Sequence, residues 1–236
     1  MSTLPSWLLV PGLAGTAGRV VLPQEAAHHL ARVCRARAGD HVTATDGAGT
    51  VADLELESVT AVVAARVVAL GRLARPSQAW VLCGAPEGTR GDWLVEKLAE
   101  LGVARFQPLD CDRAVWRGAR LDRWSKLAAA ALGQSRQAWL MEVAAPATIE
   151  RALAAVPPGA SCWLASAGGK SLAAPPKAPA MSVVAVGPAS GFGAGEIQAL
   201  EARGFTSIRL ARSRLRTETA ALAWAGIWAA RTASEA

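Results

Sequence analysis

From residue 77 onward, short apolar runs alternate with amphipathic stretches, and this rhythm constrains the fold more than any other feature. "AWVLCGAP" reads as a strand, "GDWLVEKLAELG" as a helix stopped by Gly102, "VARFQPL" as a strand and "LDRWSKLAAAALGQS" as a long helix. "SCWLAS" and "SVVAVGP" follow as buried strands, bracketing a loop rich in Pro, Ala and Lys. A helix over residues 196–203, the strand "TSIRLA" and a terminal helix over residues 216–231 complete the pattern. Strands that alternate with helices in this way imply a parallel sheet covered on both faces.

The first 72 residues read differently. "GRVVLP" predicts a short strand, and "PQEAAHHLARVC" predicts one amphipathic helix with Pro23 near its start. "HVTATDGAGTVADLEL" predicts two strands around a turn at Asp46-Gly47, and "AVVAARVVALGRL" one or two more. A small β-barrel or sandwich carrying one helix is expected, with a boundary near residues 72–77 and no internal repeat.

Composition narrows the class. The chain has 236 residues, 52% hydrophobic and 19% charged, enough to bury a real core. Cys34, Cys83, Cys111 and Cys162 lie far apart without a CxxC pair, which argues against a zinc site and a disulfide scaffold. "MSTLPSWLLVPG" lacks the basic region and apolar core of a signal peptide, and the apolar run 220–230 is too short to span a bilayer. A cytoplasmic, soluble protein without metal or membrane association is expected.

The net charge of +6 is unevenly placed. Residues 1–72 balance six Arg against six acids, whereas residues 105–136 carry seven Lys or Arg against three acids. Residues 203–216 carry five Arg and no acid. Such clusters suit a polyanion, because each neutralised phosphate releases a counterion. A solvated surface in an Arg-rich chain is the equal alternative on charge alone.

Three loops occupy the expected carboxyl edge of the sheet, at residues 165–169, 187–193 and 210–216, where α/β folds bind ligands. GxxxxGK[ST] and GxGxxG are both absent, so spacing alone leaves a plain turn and a ligand loop open. Thr217 or Thr219 is placed to cap the last helix, with Glu218 in its positive first turn. Arg212, Arg214 and Arg216 beside a glycine loop suggest an anionic substrate or a carboxylate. The last helix, with "ALAWAGIWAA", is apolar nearly all round and must be buried on more than one side. A subunit interface anchored by Trp224 and Trp228 is expected, and burial within one chain is the competing reading.

Taken together, "HHLARVCRARAGDHVTATDG", "GDWLVEKLAELGV", "PLDCDRAVW…DRWSKLAAAALGQSR", "VGPASGFGAGEI" and "LRTETAALA" resemble the bacterial 16S ribosomal RNA (uracil-N3)-methyltransferase family, of the SPOUT class. The resemblance runs from about residue 19 to residue 230. It implies a PUA-like RNA-binding β-barrel over residues 1–72, then an α/β methyltransferase domain over residues 73–236 with a C-terminal trefoil knot. It further implies S-adenosylmethionine (SAM) as cofactor, 16S ribosomal RNA in the small subunit as partner, and a homodimer.

Carried over by position, the cofactor residues are Leu164, Ala165 and Ser166; Gly187, Pro188, Ala189, Ser190, Gly191 and Phe192; and Leu210, Leu215, Thr217 and Thr219. Arg216 and Glu218 take the catalytic positions. The implied RNA contacts are Arg32, Arg35 and Arg37 in the barrel, with Arg113, Arg123, Arg136, Arg212 and Arg214 beyond it. The chain departs from the family pattern at Ala189, Ser190, Ser213, Arg214, Glu87, Gly133 and Gln137. Two alternatives stay open: a member that binds RNA without catalysis or serves another RNA, and a metabolite-binding α/β enzyme with a fused barrel.

Overall fold

The computed structural model of the chain describes residues 3–16, 18–60, 62–84, 86, 88–114, 120–171 and 179–233. It divides into two compact units, Met1–Arg75 with Leu132–Leu140, and Pro76–Ala131 with Met141–Ala236.

The first unit holds β1 (Thr3–Leu9), β2 (Arg19–Val21), α1 (Gln24–His28), β3 (His41–Thr45), β4 (Thr50–Val59) and β5 (Val63–Arg72). They form one five-stranded sheet in the order β1-β3-β4-β5-β2, antiparallel except for the β1/β3 pair. Register shifts between β4 and β5 bend this sheet over a core that includes Leu13, Leu30, Leu54 and Leu56. The expected single helix after Pro23 is α1 continued by a π-helical turn, His29–Val33. β1 is a strand that the sequence reading did not assign, and its pairing with β3 is irregular between Thr3 and Trp7.

Leu132–Leu140 joins this unit although it follows the second unit's residues in sequence. The Trp7 indole N–H donates to the Gln137 carbonyl (2.8 Å), and the Thr45 hydroxyl donates to the Ala138 carbonyl (3.1 Å). The Gly49 amide also donates to the Ala138 carbonyl (2.9 Å), and the Leu140 amide to the Gly47 carbonyl (2.8 Å). Gly133 fits here because a Cβ would stand 3.0 Å from the Trp7 carbonyl oxygen.

The second unit runs through β6 (Gln78–Cys83), α2 (Thr89–Glu100), β7 (Arg105–Pro108), α3 (Leu121–Ser135), β8 (Glu142–Val143) and α4 (Ile149–Ala155). It continues with β9 (Ser161–Ser171), β10 (Met181–Val186), α5 (Ala194–Ala202), β11 (Thr206–Arg209) and α6 (Thr217–Ala233). The last four residues of α3 count with the first unit. Six strands form a wholly parallel sheet in the order β11-β9-β10-β6-β7-β8.

The central strands β6 and β10 are mostly apolar because both faces are covered. Along β10, Val184 and Val186 enter one core with Leu94, Trp124 and Trp224, while Val183 and Ala185 enter another with Ile149, Leu200 and Phe205. α6 packs on β6, β10 and α2, and Trp224 and Trp228 are buried within the chain, as the competing reading has it for these two residues. Part of the Pro/Ala/Lys-rich loop, residues 172–178, lies outside the described residues.

β9 and β11 show one irregularity that matters for the site. Ser207 pairs with Leu164 but Ile208 pairs with Lys170, so residues 165–169 bulge out between consecutive rungs. The chain closes tightly behind the bulge: a Cβ on Gly169 would lie 2.5 Å from the Ile208 carbonyl carbon and 2.6 Å from its nitrogen. Gly169→Ala is therefore expected to destabilise the fold by about 1–3 kcal/mol through overpacking. A urea midpoint equal to wild type would refute the close approach.

Candidate functional site

The carboxyl ends of β6, β9, β10 and β11 open into one cavity of ≈ 1110 Å3 within the second unit. All three glycine- and arginine-bearing loops line it, as expected where parallel strands end. Leu109, Leu164, Phe192 and Leu215 supply apolar wall. Gly84 allows the backbone at Pro188 to press against the end of β6, because a Cβ there would meet the Pro188 nitrogen at 2.6 Å. Gly191, at φ 75, supplies the left-handed turn that returns the loop to α5.

Hydrogen bonds tie the loops to one another. The Thr217 hydroxyl donates to the Gly187 carbonyl (3.0 Å), so it joins the third loop to the second rather than capping α6. Arg214 donates to the Ala189 carbonyl (3.2 Å). Ser190 and Arg113 exchange bonds: the serine hydroxyl donates to the Arg113 carbonyl (3.1 Å) and the guanidinium to the Ser190 carbonyl (3.4 Å). Two positions that depart from the family pattern, Ser190 and Arg214, thus help hold the loop that contains Ala189. The buried Glu196 carboxylate accepts from the amides of Gly193 (2.6 Å) and Asp112 (3.1 Å), pinning the start of α5 to the segment after β7. Glu196 was not among the residues carried over from the family pattern; its spacing three residues after Gly193 is the helix-start signal that marks it.

The charges are unequal in exposure. Glu218 is only 6% exposed, faces the cavity, and has one ion pair among the described residues, a loose 3.8 Å contact to Arg90. Arg90, Arg113, Arg209, Arg214 and Arg216 line the same cavity and are exposed. Arg216 forms no ion pair among the described residues. Burial, then the neighbouring Glu196 carboxylate, pushes the Cys111 thiol up to about 12, and burial, then Cys111 and Glu218, pushes Cys83 up as well. Burial therefore favours the neutral thiol at both positions.

Most of the positions carried over by sequence meet in this cavity. Leu164, Ala165, Ser166, Gly187, Pro188, Ala189, Gly191 and Phe192 line it, as do Leu210, Leu215, Arg216, Thr217 and Glu218. Ser190 and Thr219 are exposed and do not line it, and neither does Arg212. Arg113 and Arg214 reach it through the loop bonds described above. Arg123 is instead engaged with Asp92 at 2.7 Å. Arg32, Arg35, Arg37 and Arg136 are exposed in the first unit, Arg136 by way of Leu132–Leu140. Glu87 lies outside the described residues.

A family model described as "RNA methyltransferase domain" matches residues 74–229, and one described as "RNA methyltransferase PUA domain" matches residues 22–63. The ribosomal RNA small subunit methyltransferase E of Synechocystis sp. is 30% identical over 212 residues, covering 85% of this chain and 69% of its own length. The protein of that name from Mycobacterium tuberculosis is 30% identical over 229 residues, covering 90% and 86%. The chain belongs to the ribosomal RNA small subunit methyltransferase E family. The crystal structure of the Neisseria gonorrhoeae family member, bound to S-adenosyl methionine, superposes with a TM-score of 0.85 at 26% identity, covering 94% of this chain and 95% of that one. The family's methyltransferase segment contains all three cavity loops, and its PUA segment lies inside the first unit.

Proposed function

We propose that this chain is a SAM-dependent methyltransferase acting on N3 of a uridine in 16S ribosomal RNA, working in the cytoplasm as a homodimer. The observation that carries this reading is the convergence of three interlocked loops, a buried Glu218 and an unpaired Arg216 on one cavity of ≈ 1110 Å3. Ligand pockets commonly measure about 300–1,000 Å3, so there is room for an adenosine-sized cofactor and part of a flipped nucleotide.

The cavity chemistry fits SAM. Close-set glycine backbone and apolar wall suit an adenosine, and the under-compensated Glu218 carboxylate offers negative charge to a cationic ligand. SAM, when bound, supplies a methyl group on a sulfonium that needs no acid to leave. The work left to the protein lies on the uridine side. Neutral N3 is a poor nucleophile because its lone pair is delocalised into two carbonyls. As its proton is lost, negative charge gathers on the imide oxygens and calls for a fixed positive field. Arg216 supplies that field from the cavity wall, and Arg214 positions the Ala189 loop beside it. The three histidines, His28, His29 and His41, all lie in the first unit, so none of them lines the cavity.

The reading includes the knotted C-terminal region that the family resemblance implies. Trp93, 47% exposed on α2 beside α6, supports a second subunit there. Mass spectrometry of 16S ribosomal RNA from a deletion strain is expected to show the loss of one N3-methyluridine. An unchanged methyluridine complement would overturn the substrate. Absence of any calorimetric SAM binding would overturn the cofactor and favour the non-catalytic reading.

A further inference from the structure

The first unit carries two cations held over one aromatic ring. Arg72 ends β5 and Arg75 follows it, and their guanidinium carbons lie 5.9 and 5.1 Å from the centroid of the Trp139 ring. All three residues belong to the first unit. Both arginines are exposed, and neither forms an ion pair among the described residues. Asp46, the acid on which Arg72 acts electrostatically, is already occupied by the amides of Ala48 (2.7 Å) and Thr50 (2.9 Å).

The same molecule contains a contrasting case. Arg105 lies 4.8 Å over the Trp80 ring but is only 21% exposed, with its guanidinium bonded to Glu142 (3.0 Å) and Gln107 (3.1 Å). That arginine is neutralised and built into the sheet. Arg72 and Arg75 share the stacking but form no ion pair among the described residues.

Their platform is rigid. The Trp139 ring lies so close on Gly49 that a Cβ there would come 2.3 Å from Cζ2, and Gly49 has φ 95. A bridge between Ala48 and Trp139 and the Gly49-to-Ala138 bond fix the backbone on both sides. The ring holds this place although its indole N–H is buried without a hydrogen-bond partner. Leu70 and Leu73, 48% and 53% exposed, flank the arginines with apolar surface. Two unpaired, planar donors on a fixed ring present the geometry that grips phosphate oxygens.

We propose that Arg72 and Arg75, ordered by Trp139, form a phosphate-gripping site for an RNA strand on the first unit. The site lies outside the PUA-matched residues 22–63 and apart in sequence from Arg32, Arg35 and Arg37. It rests on the reading of this protein as an RNA-modifying enzyme, but it uses none of the cofactor cavity.

Filter binding of the full chain to transcribed 16S ribosomal RNA, over about 50–200 mM KCl, tests it. The double variant R72Q/R75Q is expected to lower affinity about tenfold and to reduce the slope of log K against log salt by one to two. R72K/R75K, which keeps the charges, is expected to restore most of the slope. An unchanged slope in R72Q/R75Q overturns the proposal. A slope that lysine fails to restore, with a lowered melting temperature, assigns the pair to holding Trp139 and also overturns it. Calorimetric SAM binding, expected to be unchanged in both variants, reports separately on the methyltransferase reading.

Discussion

Arg216→Ala is expected to lower kcat for methyl transfer to 16S ribosomal RNA by about 10²–10³-fold, the effect of removing one fixed donor from a site of developing negative charge. SAM affinity should change little, because Arg216 is exposed on the cavity wall and forms no bond to the neighbouring loops among the described residues. Arg216→Lys keeps the charge but not the planar donor pair, so it should recover part of the rate. Single-turnover assays at saturating SAM separate this from binding. Wild-type turnover by Arg216→Ala would remove Arg216 from catalysis and leave the family membership standing.

Asp92→Ala is expected to destabilise the protein by about 3 kcal/mol, lowering its melting temperature by roughly 10 °C. Asp92 is 7% exposed at the start of α2, and it accepts from the Trp124 indole at 3.0 Å, Arg123 at 2.7 Å and Arg120 at 3.1 Å. Trp124 is almost wholly buried and meets Phe106 edge-on at 5.5 Å, so without Asp92 its N–H loses that carboxylate acceptor deep in the core. The two arginines are 44% and 62% exposed, so their share is small, on the order of 1 kcal/mol. Burial alone would raise the Asp92 carboxyl, but the bonds from Arg123, Trp124 and Arg120 outweigh it and hold it below its ordinary range. A depressed folded value means that the charge-linked stabilisation is complete at pH 7. It is lost as pH falls below the unfolded value of 3.8 and through the folded one. Asp92→Asn should therefore flatten the acid limb of the stability curve while keeping an acceptor for Trp124. An acid limb as steep as wild type would show that another carboxylate sets it.

The departures from the family pattern gain meaning only when placed in space. Ala189 and Ser190 stand in the sequence only as departures from the family pattern in the second glycine loop. In the structure Ser190 exchanges bonds with Arg113, and Arg214 holds the Ala189 carbonyl, so the loop is braced by the substitutions themselves. Gly133 makes room for the Trp7 carbonyl. Sequence order does not connect residues 77 and 25 positions apart, which is why Ser190 and Arg214 could not be matched to their partners in advance.

Much of the architecture was legible because it follows from local chemistry. Strands apolar on both faces, a glycine that ends α2 and the strand–helix alternation require only nearest-neighbour rules and the need to bury area. The same rules placed the three loops at the carboxyl edge, and the family resemblance named them. Three features depended on contacts between distant residues: the return of Leu132–Leu140 to the first unit, the burial of Trp224 and Trp228 within one chain, and the pairing of Arg72 and Arg75 over Trp139. An apolar helix looks the same in sequence whether a subunit or its own sheet covers it, and only packing chooses. Local chemistry settles the layers, the strand direction and the place of the three loops at the carboxyl edge of the sheet. Tertiary structure decided which charges remain unpaired, because pairing depends on which side chains the folded backbone brings within reach.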